Sequence, residues 1–181
     1  MSKLFGEIRQ LAFVVDDINQ AMDFWANTLG ISPFFVKRNI RFDQYHYLGK
    51  PAESPTVSIA LANSGFIQIE LIQQHDNAPS IYKAFLDSKQ KGLQHVSSWL
   101  THLELLEKKA ELLEKGYVIA QECVIPSSGV NLVYFATNDG PGNVVFEIAD
   151  LLEPMHYERV LGIKSASEQP TIASHVVEVS Q

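Results

Sequence analysis

The sequence predicts an α+β protein made of two consecutive β-α-β-β-β modules. Two stretches, IRQLAFVVDDINQAMDFWANTLG (8–30) and LQHVSSWLTHLELLEKKAELLEKG (93–116), share one order of features: a short strand-like run, an amphipathic helix and a closing glycine. After each helix come further strand candidates, separated by the turn-forming sequences NSG, PSSG and NDGPG. Because a supersecondary unit that recurs along a chain indicates a duplicated architecture, we expect two paired modules.

The first module occupies residues 5–73. Its helix is predicted from the helical spacing of Ile18, Met22 and Trp25, with Ala21 and Leu29 on the same apolar stripe. Asp16 and Asp17 stand at N-cap positions, and Gly30 stands where the helix should end. Three strand candidates follow, at residues 34–42, 55–63 and 65–73.

A linker, residues 74–91, joins this module to the second, residues 92–150. Within the linker, APSIYKAFLDSKQ predicts a short helix that packs through Ile81, Tyr82, Phe85 and Leu86. The helix of the second module is predicted to pack through Leu103, Leu106, Ala110 and Leu113, and to end at Gly116. Its strand candidates lie at residues 117–125, 130–137 and 143–150. We expect one domain over residues 1–150, followed at 151–181 by a short helix (EPMHYERVLG) and a loosely held polar tail.

The composition restricts the class of protein. The net charge of −7, from 14 basic and 21 acidic residues, disfavours a nucleic-acid or anionic-membrane surface. The N-terminal apolar run is too short for a signal peptide and no stretch is long enough to span a membrane, so we expect a cytoplasmic protein. Cys123 is the only cysteine, which excludes an internal disulfide and a thiolate metal cluster. We expect it to be a small buried residue.

Polar residues recur on the inward faces of the strands that begin and end each module. Side chains alternate between the two faces of a strand, so Gln10 shares a face with Ala12. His95 shares a face with Ser97 on the corresponding strand of the second module. Aligning the modules matches Gln10 with His95, and it matches Glu70 with Glu147. The small Ala12 and Ser97 would leave room for a ligand beside them.

These four matched residues form a set of metal-ligand type. If the two halves curl around a shared cleft, an amide oxygen, an imidazole nitrogen and two carboxylates converge, which suits divalent Mn, Co, Ni, Fe or Zn. Taken singly, an inward His95 is more often a hydrogen-bonded core residue, and a glutamate on a strand more often faces solvent. Two inward carboxylates without a cation would, however, cost roughly several kcal/mol. The set as a whole therefore favours a metal site.

Three stretches, IRQLAFVVDDINQAMDFWANTLGI, FIQIELIQ and PSIYKAFLDSKQKGLQHVS, resemble the vicinal oxygen chelate superfamily. Its members include glyoxalase I, methylmalonyl-CoA epimerase, extradiol dioxygenases and bleomycin-binding proteins. The resemblance covers residues 8–150 and implies a curved mixed sheet around a metal-binding cleft. The linker is similar to the epimerase branch, whereas the set Gln10, Glu70, His95 and Glu147 matches some glyoxalase I enzymes. Extradiol dioxygenases resemble the chain less, because their iron needs two histidines and one carboxylate.

The resemblance implies a metal-dependent lyase or isomerase of the glyoxalase I or epimerase type. Such an enzyme removes the proton α to the carbonyl of a thioester or hemithioacetal, through a metal-bound enolate. Glu147 is the first candidate base, since the last ligand of the family can leave the metal, and Glu70 is the second. The epimerase branch adds Glu53, in PAESPTVSIAL, as a further base, although a turn-capping role suits it equally.

The resemblance also implies partners. The expected substrate is a small molecule such as a CoA thioester or a glutathione adduct, whose anionic groups could meet Lys37, Arg38 and Arg41; a solvated strand end is the simpler interpretation of these cations. Paired modules often assemble across a two-fold axis, so we expect a homodimer. Two other classes stay open: a non-enzymatic protein that binds a small hydrophobic molecule, and a dioxygenase-like oxidoreductase.

Overall fold

One curved mixed sheet organises the structure, a computed structural model that describes residues 2–137, 144–168 and 175–179. In the described residues the strands are β1 Ile8–Val14, β2 Phe34–Ile40, β3 Asp43–Tyr47, β4 Lys50–Pro51, β5 Val57–Ser64, β6 Ile67–Gln74, β7 Leu93–Trp99, β8 Val118–Val124, β9 Asn131–Ala136, β10 Val145–Ala149 and β11 Val176–Glu178. The helices there are α1 Ile18–Leu29, α2 Ile81–Asp87, α3 His102–Glu114 and α4 Pro154–Ser167. The strand order is β11-β2-β5-β6-β1-β7-β10-β9-β8-β3-β4, and the sheet does not close on itself.

The predicted duplication is confirmed. In each module the first strand lies parallel to the last: β1 pairs with β6, and β7 pairs with β10. The two first strands, β1 and β7, pair antiparallel and so join the modules at the centre of the sheet. This arrangement places the strands that carry the four matched polar residues side by side, in the order β6-β1-β7-β10.

Helix α1 begins and ends where the sequence predicts. The Asp17 side chain accepts hydrogen bonds from the backbone N–H groups of Asn19 and Gln20, and so satisfies donors that the first turn leaves unpaired. Gly30 ends the helix with φ 71°, a left-handed conformation that suits glycine. Ile18 and Met22 are buried from the predicted stripe and pack against β5 and β6.

The predicted packing face of α3 is wrong. Leu103, Leu106 and Leu113 are 65%, 49% and 46% exposed, whereas Leu105 and Leu112 are buried against the second half of the sheet. Leucines occupy two faces of this helix, and helical spacing alone does not decide which face meets the sheet. The helix begins at a capping box formed by Thr101 and Glu104.

Three strands lie where the sequence analysis predicts none. The β3–β4 hairpin carries the polar sequence DQYHYLGKP, and β3 pairs with β8, so a piece of the first module extends the sheet of the second. Strand β11 pairs parallel with β2. The expectation of a loose tail is therefore wrong for residues 175–179, because backbone pairing with an open sheet edge holds them. The NDGPG turn and residues 169–174 lie outside the described residues.

Helix α4 continues to Ser167, past the predicted short helix, and packs across β5. Val160 and Ile163 are its buried apolar side chains. Among the residues described here, no helix has the length and apolar character that crossing a membrane requires. The division into a domain at 1–150 and an added segment at 151–181 stays a prediction.

Candidate metal centre

Three of the four predicted ligands converge inside one chain. Glu70 comes from β6, His95 from β7 and Glu147 from β10, and one ligand atom of each lies within 4.8 Å of the other two. The His95 Nε2 atom is 3.1 Å from Glu147 Oε2 and 3.3 Å from Glu70 Oε2. All three side chains are buried. The parallel pairing of β1 with β6 and of β7 with β10 produces this arrangement, since it brings equivalent strands of the two modules to the centre of the sheet.

The cluster fits a cation because two of its buried atoms lack hydrogen bonds. Neither His95 Nε2 nor Glu147 Oε2 forms a hydrogen bond with any described residue, although the two atoms are close. Together with an atom of Glu70, these atoms lie close enough to bind one ion between them. A buried polar atom without a partner costs about 1–3 kcal/mol, and more when it is charged. A divalent ion would remove this cost for both atoms.

The pKa values of the cluster reflect the burial of its two carboxylates beside one imidazole. Burial raises the pKa of Glu70, against the lowering effect of His95. For His95, burial lowers the pKa, but the adjacent carboxylates of Glu147 and Glu70 outweigh this effect and raise the pKa to about 9. In the absence of a metal, the imidazole is therefore protonated on both nitrogens at neutral pH, and its positive charge offsets the negative charge of the carboxylates. Metal binding requires a neutral imidazole and would displace it.

Gln10, the fourth predicted ligand, is buried on β1 and lines the same cavity as Glu70 and Glu147. Its Nε2 donates a hydrogen bond of 2.8 Å to Gln68 Oε1, and Gln68 faces it in the parallel register of β1 and β6. This bond occupies the amide nitrogen. The amide oxygen, which is the atom able to coordinate a hard cation, is left available.

Gln94 is a residue that the sequence analysis missed. Its Oε1 accepts a hydrogen bond of 2.7 Å from His95 Nδ1. Strand alternation would send neighbouring side chains to opposite faces, but the pairing of β7 with β1 shifts between Ala12↔His95 and Phe13↔Leu93. Gln94 is the extra residue of this β-bulge, which lets its side chain lie beside His95. An acceptor at Nδ1 fixes the tautomer in which Nε2 faces the metal position.

Aromatic rings support the other side of His95. The Tyr134 ring meets the imidazole edge-to-face, with 5.3 Å between the ring centroids. The Tyr82 hydroxyl donates to the Tyr134 hydroxyl at 3.2 Å, and both tyrosines are buried. Burial raises the pKa of both phenols, so they stay neutral. Because rings and hydrogen bonds hold His95 on several sides, the imidazole has little freedom to turn.

A cavity of about 710 Å³ opens above the cluster. Gln10, Glu70 and Glu147 supply polar groups to its wall, and most of the remaining wall is apolar. Leu61 and Leu132 come from the sheet, and Val160 and Ile163 come from α4, which covers the cavity. This volume lies in the range of small-molecule sites, roughly 300–1,000 Å³. The convergence of a few polar groups in an apolar cavity is typical of a site that binds and orients a small molecule.

Glu53 does not join the cluster. Its side chain is 68% exposed, lies 3.8 Å from Arg41 and is absent from the cavity wall. The stretch that carries it connects the β3–β4 hairpin to β5, and this hairpin extends to β8 on the far edge of the sheet. We therefore leave Glu53 out of the proposed bases. Cys123, in contrast, is buried as expected, and burial raises the pKa of its thiol.

Comparison with known proteins decides the family. Residues 9–135 match the family model of the Glyoxalase/Bleomycin resistance protein/Dioxygenase superfamily. The chain belongs to this superfamily. The match runs from β1 to β9 and includes Gln10, Glu70 and His95, whereas Glu147 on β10 lies beyond it. No curated protein is significantly similar in sequence to this chain.

Solved structures of the superfamily share the fold at low sequence identity. The methylmalonyl-CoA epimerase of Mycobacterium tuberculosis is 17% identical, with a TM-score of 0.56, over 83% of this chain and 91% of the epimerase. A hypothetical protein of Bacillus halodurans C-125 is 17% identical, with a TM-score of 0.55, over 80% and 93% of the two chains. A variant of Streptomyces coelicolor methylmalonyl-CoA epimerase, in complex with 2-nitronate-propionyl-CoA, is 15% identical, with a TM-score of 0.54, over 92% of this chain and 99% of the epimerase. These likenesses show the fold.

Proposed function

We propose that this glyoxalase-superfamily protein is a metal-dependent lyase or isomerase of the glyoxalase I or methylmalonyl-CoA epimerase type. It would abstract the proton α to the carbonyl of a thioester or a hemithioacetal. The observation that carries this proposal is the convergence of Glu70, His95 and Glu147 on one point, with two buried ligand atoms left without hydrogen bonds. Membership of the superfamily supports it.

Gln10, Glu70, His95 and Glu147 would hold the divalent ion, which we expect to be Zn, Ni, Co, Mn or Fe. When bound, the ion would supply Lewis-acid stabilisation of the negative charge that develops on the carbonyl oxygen. Gln94 would keep the His95 imidazole in the correct tautomer throughout, since its Oε1 accepts a hydrogen bond from Nδ1–H.

The two carboxylates would move the substrate proton. Glu70 and Glu147 reach the cluster from strands on either side of β7, so they flank the space above His95. A carboxylate on each side of one carbon suits an epimerase, which removes the proton on one face and returns one on the other. Burial raises the pKa of Glu70, which makes it a stronger base than an exposed glutamate. The apolar cavity wall would exclude water from the reacting carbon.

Proton exchange at the substrate tests this proposal. In deuterium oxide, the metal-loaded protein should wash out the α-proton of methylmalonyl-CoA or of a glutathione hemithioacetal, as followed by proton NMR. Glu147→Gln should slow this exchange at least about 100-fold, since general-base catalysis contributes that much. Glu114→Gln is the matched control, because Glu114 is exposed on α3, and its exchange rate should equal that of the wild type. Equal rates in Glu147→Gln and wild type would contradict the proposal.

A non-enzymatic binding protein is the second candidate, and the apolar, covered cavity favours it. Such a protein would sequester a small hydrophobic molecule and would need no cluster of ligand atoms. The two candidates therefore differ in metal content and in exchange activity. A cytoplasmic location, a homodimeric assembly and a CoA or glutathione adduct as substrate stay proposals from the sequence.

A further inference from the structure

The three cations at Lys37, Arg38 and Arg41 have different surroundings. Phe34 and Val36 pack on the α1 side of the sheet, so strand alternation turns Phe35 and Lys37 to the opposite face, where both line the cavity. Arg38 turns away from this face and pairs with Glu178 at 2.8 Å. Lys37 is therefore the basic residue of β2 whose side chain reaches the cavity.

Helix α4 brings a second cation to the same cavity. His156, Arg159, Val160 and Ile163 line its wall, and their spacing of three, four and seven residues places them on one side of the helix. Val160 and Ile163 are buried at the centre of this side, whereas Arg159 lies at its exposed margin. The α4 segment, which carries Arg159, lies beyond residues 9–135, which match the family model.

Neither cation has an acidic partner among the described residues. Lys37 Nζ donates to the neutral Ser127 hydroxyl at 2.5 Å, and no described carboxylate pairs with Lys37 or with Arg159. Burial, and then repulsion from Arg159, lowers the pKa of Lys37. Two positive charges that face one cavity repel each other, and a bound anion would offset this repulsion. Glu178 also lines the cavity, but its carboxylate pairs with Arg38.

The strand registers place Lys37 at a distance from the metal centre. Glu70 faces Leu61 on β5, which faces Phe35 on β2, and Lys37 lies two residues farther along. Two strand spacings and two residue rises put the Cα atoms of Glu70 and Lys37 about 12 Å apart. An extended small-molecule ligand could therefore contact Lys37 and the metal centre at the same time.

We propose that Lys37 and Arg159 form an oxyanion-binding subsite of the cavity, and that the ligand is an extended amphipathic molecule with a carboxylate or phosphate group. Its apolar body lies along the cavity wall, and its other end lies at the metal centre. The position of the reacting end rests on the proposed function, whereas the subsite itself is testable without turnover.

Alkyl probes of equal chain length test the subsite. Octanoate, octyl phosphate and neutral 1-octanol are titrated into the purified protein by calorimetry. Wild type should bind both anions about tenfold more tightly than 1-octanol, since a hydrogen bond to a charged group contributes about that factor. Lys37→Met and Arg159→Met should each remove this preference and leave the affinity for 1-octanol unchanged. The matched control is Arg41→Met, which removes an exposed cation outside the cavity and should keep the preference.

The two anions distinguish the source of the oxyanion. A preference for octyl phosphate indicates a phosphate-bearing substrate, and a preference for octanoate indicates a carboxylate. If the anion affinities are unchanged in both Lys37→Met and Arg159→Met, the anion binds at the metal centre and the proposed subsite is wrong. Equal affinity of the wild type for 1-octanol and for the anions would also contradict the subsite. Because these titrations need no catalysis, a failed proton-exchange assay leaves their result intact.

Discussion

At the scale of single residues, the His95 proton links metal binding to pH. The raised pKa of about 9 means that the metal-free imidazole is charged at pH 7, so binding must release its proton. We predict that Ni²⁺ affinity rises about tenfold per pH unit as the pH increases towards 9, where the imidazole becomes neutral by itself. Competition with a chelator of known proton affinity measures this slope. A flat profile between pH 6 and pH 8 would contradict it.

Gln94 should tune the same affinity through the other imidazole nitrogen. Gln94→Met removes the acceptor for His95 Nδ1, so we expect metal affinity to fall about 10–100-fold. Gln94→Glu keeps an acceptor and should retain most of the affinity. Nitrogen-15 NMR of the imidazole reports the tautomer directly. Equal loss in both variants, without a change of tautomer, would mean that Gln94 serves only packing.

The residues of the site were predictable to different degrees. Gln10, Glu70, His95 and Glu147 could be named because strand alternation and the module repeat select the same positions twice. Gln94 could not, since a β-bulge breaks the alternation and leaves no mark in the sequence. Glu53 was selected by resemblance alone, and its surroundings depend on the β3–β4 hairpin, whose pairing partner is more than about 70 residues away in the chain.

At the scale of elements, α3 offers a matched test of its packing face. Leu112→Ala should lower the free energy of unfolding by about 2–5 kcal/mol, because it opens a cavity between the helix and the sheet. Leu113→Ala removes the same atoms from an exposed side chain and should change the free energy by less than about 0.5 kcal/mol. Urea unfolding measures both. The reverse order would restore the face predicted from the sequence.

The elements themselves were largely predictable. Asp17 and Gly30 are capping residues, and capping is a local interaction that the sequence shows directly. Strands β3 and β11 are different, because each exists by pairing with a distant strand and carries little apolar alternation of its own. Local pattern decides where a helix begins, whereas partners elsewhere in the sheet decide whether a polar segment becomes a strand.

At the scale of the whole molecule, the modules should unfold together. The β1–β7 pairing joins them at the centre of the sheet, and β3 of the first module pairs with β8 of the second. Trp25 lies in the first module and Trp99 in the second, so Trp25→Phe and Trp99→Phe each leave one reporter. For each variant, the urea midpoint measured by fluorescence should coincide with the urea midpoint measured by circular dichroism. Different fluorescence midpoints for Trp25 and Trp99, each measured relative to circular dichroism, would show that the modules unfold independently.

The central claim is that this cluster holds one divalent ion, and elemental analysis of the purified protein tests it most directly. We predict about one divalent ion per chain, retained in His46→Ala, a control on the surface hairpin, and lost in His95→Ala. If the native protein takes up no metal even after dialysis against Mn, Co, Ni and Zn, the claim is wrong. His95 would then be a core residue, and the cavity would serve binding alone.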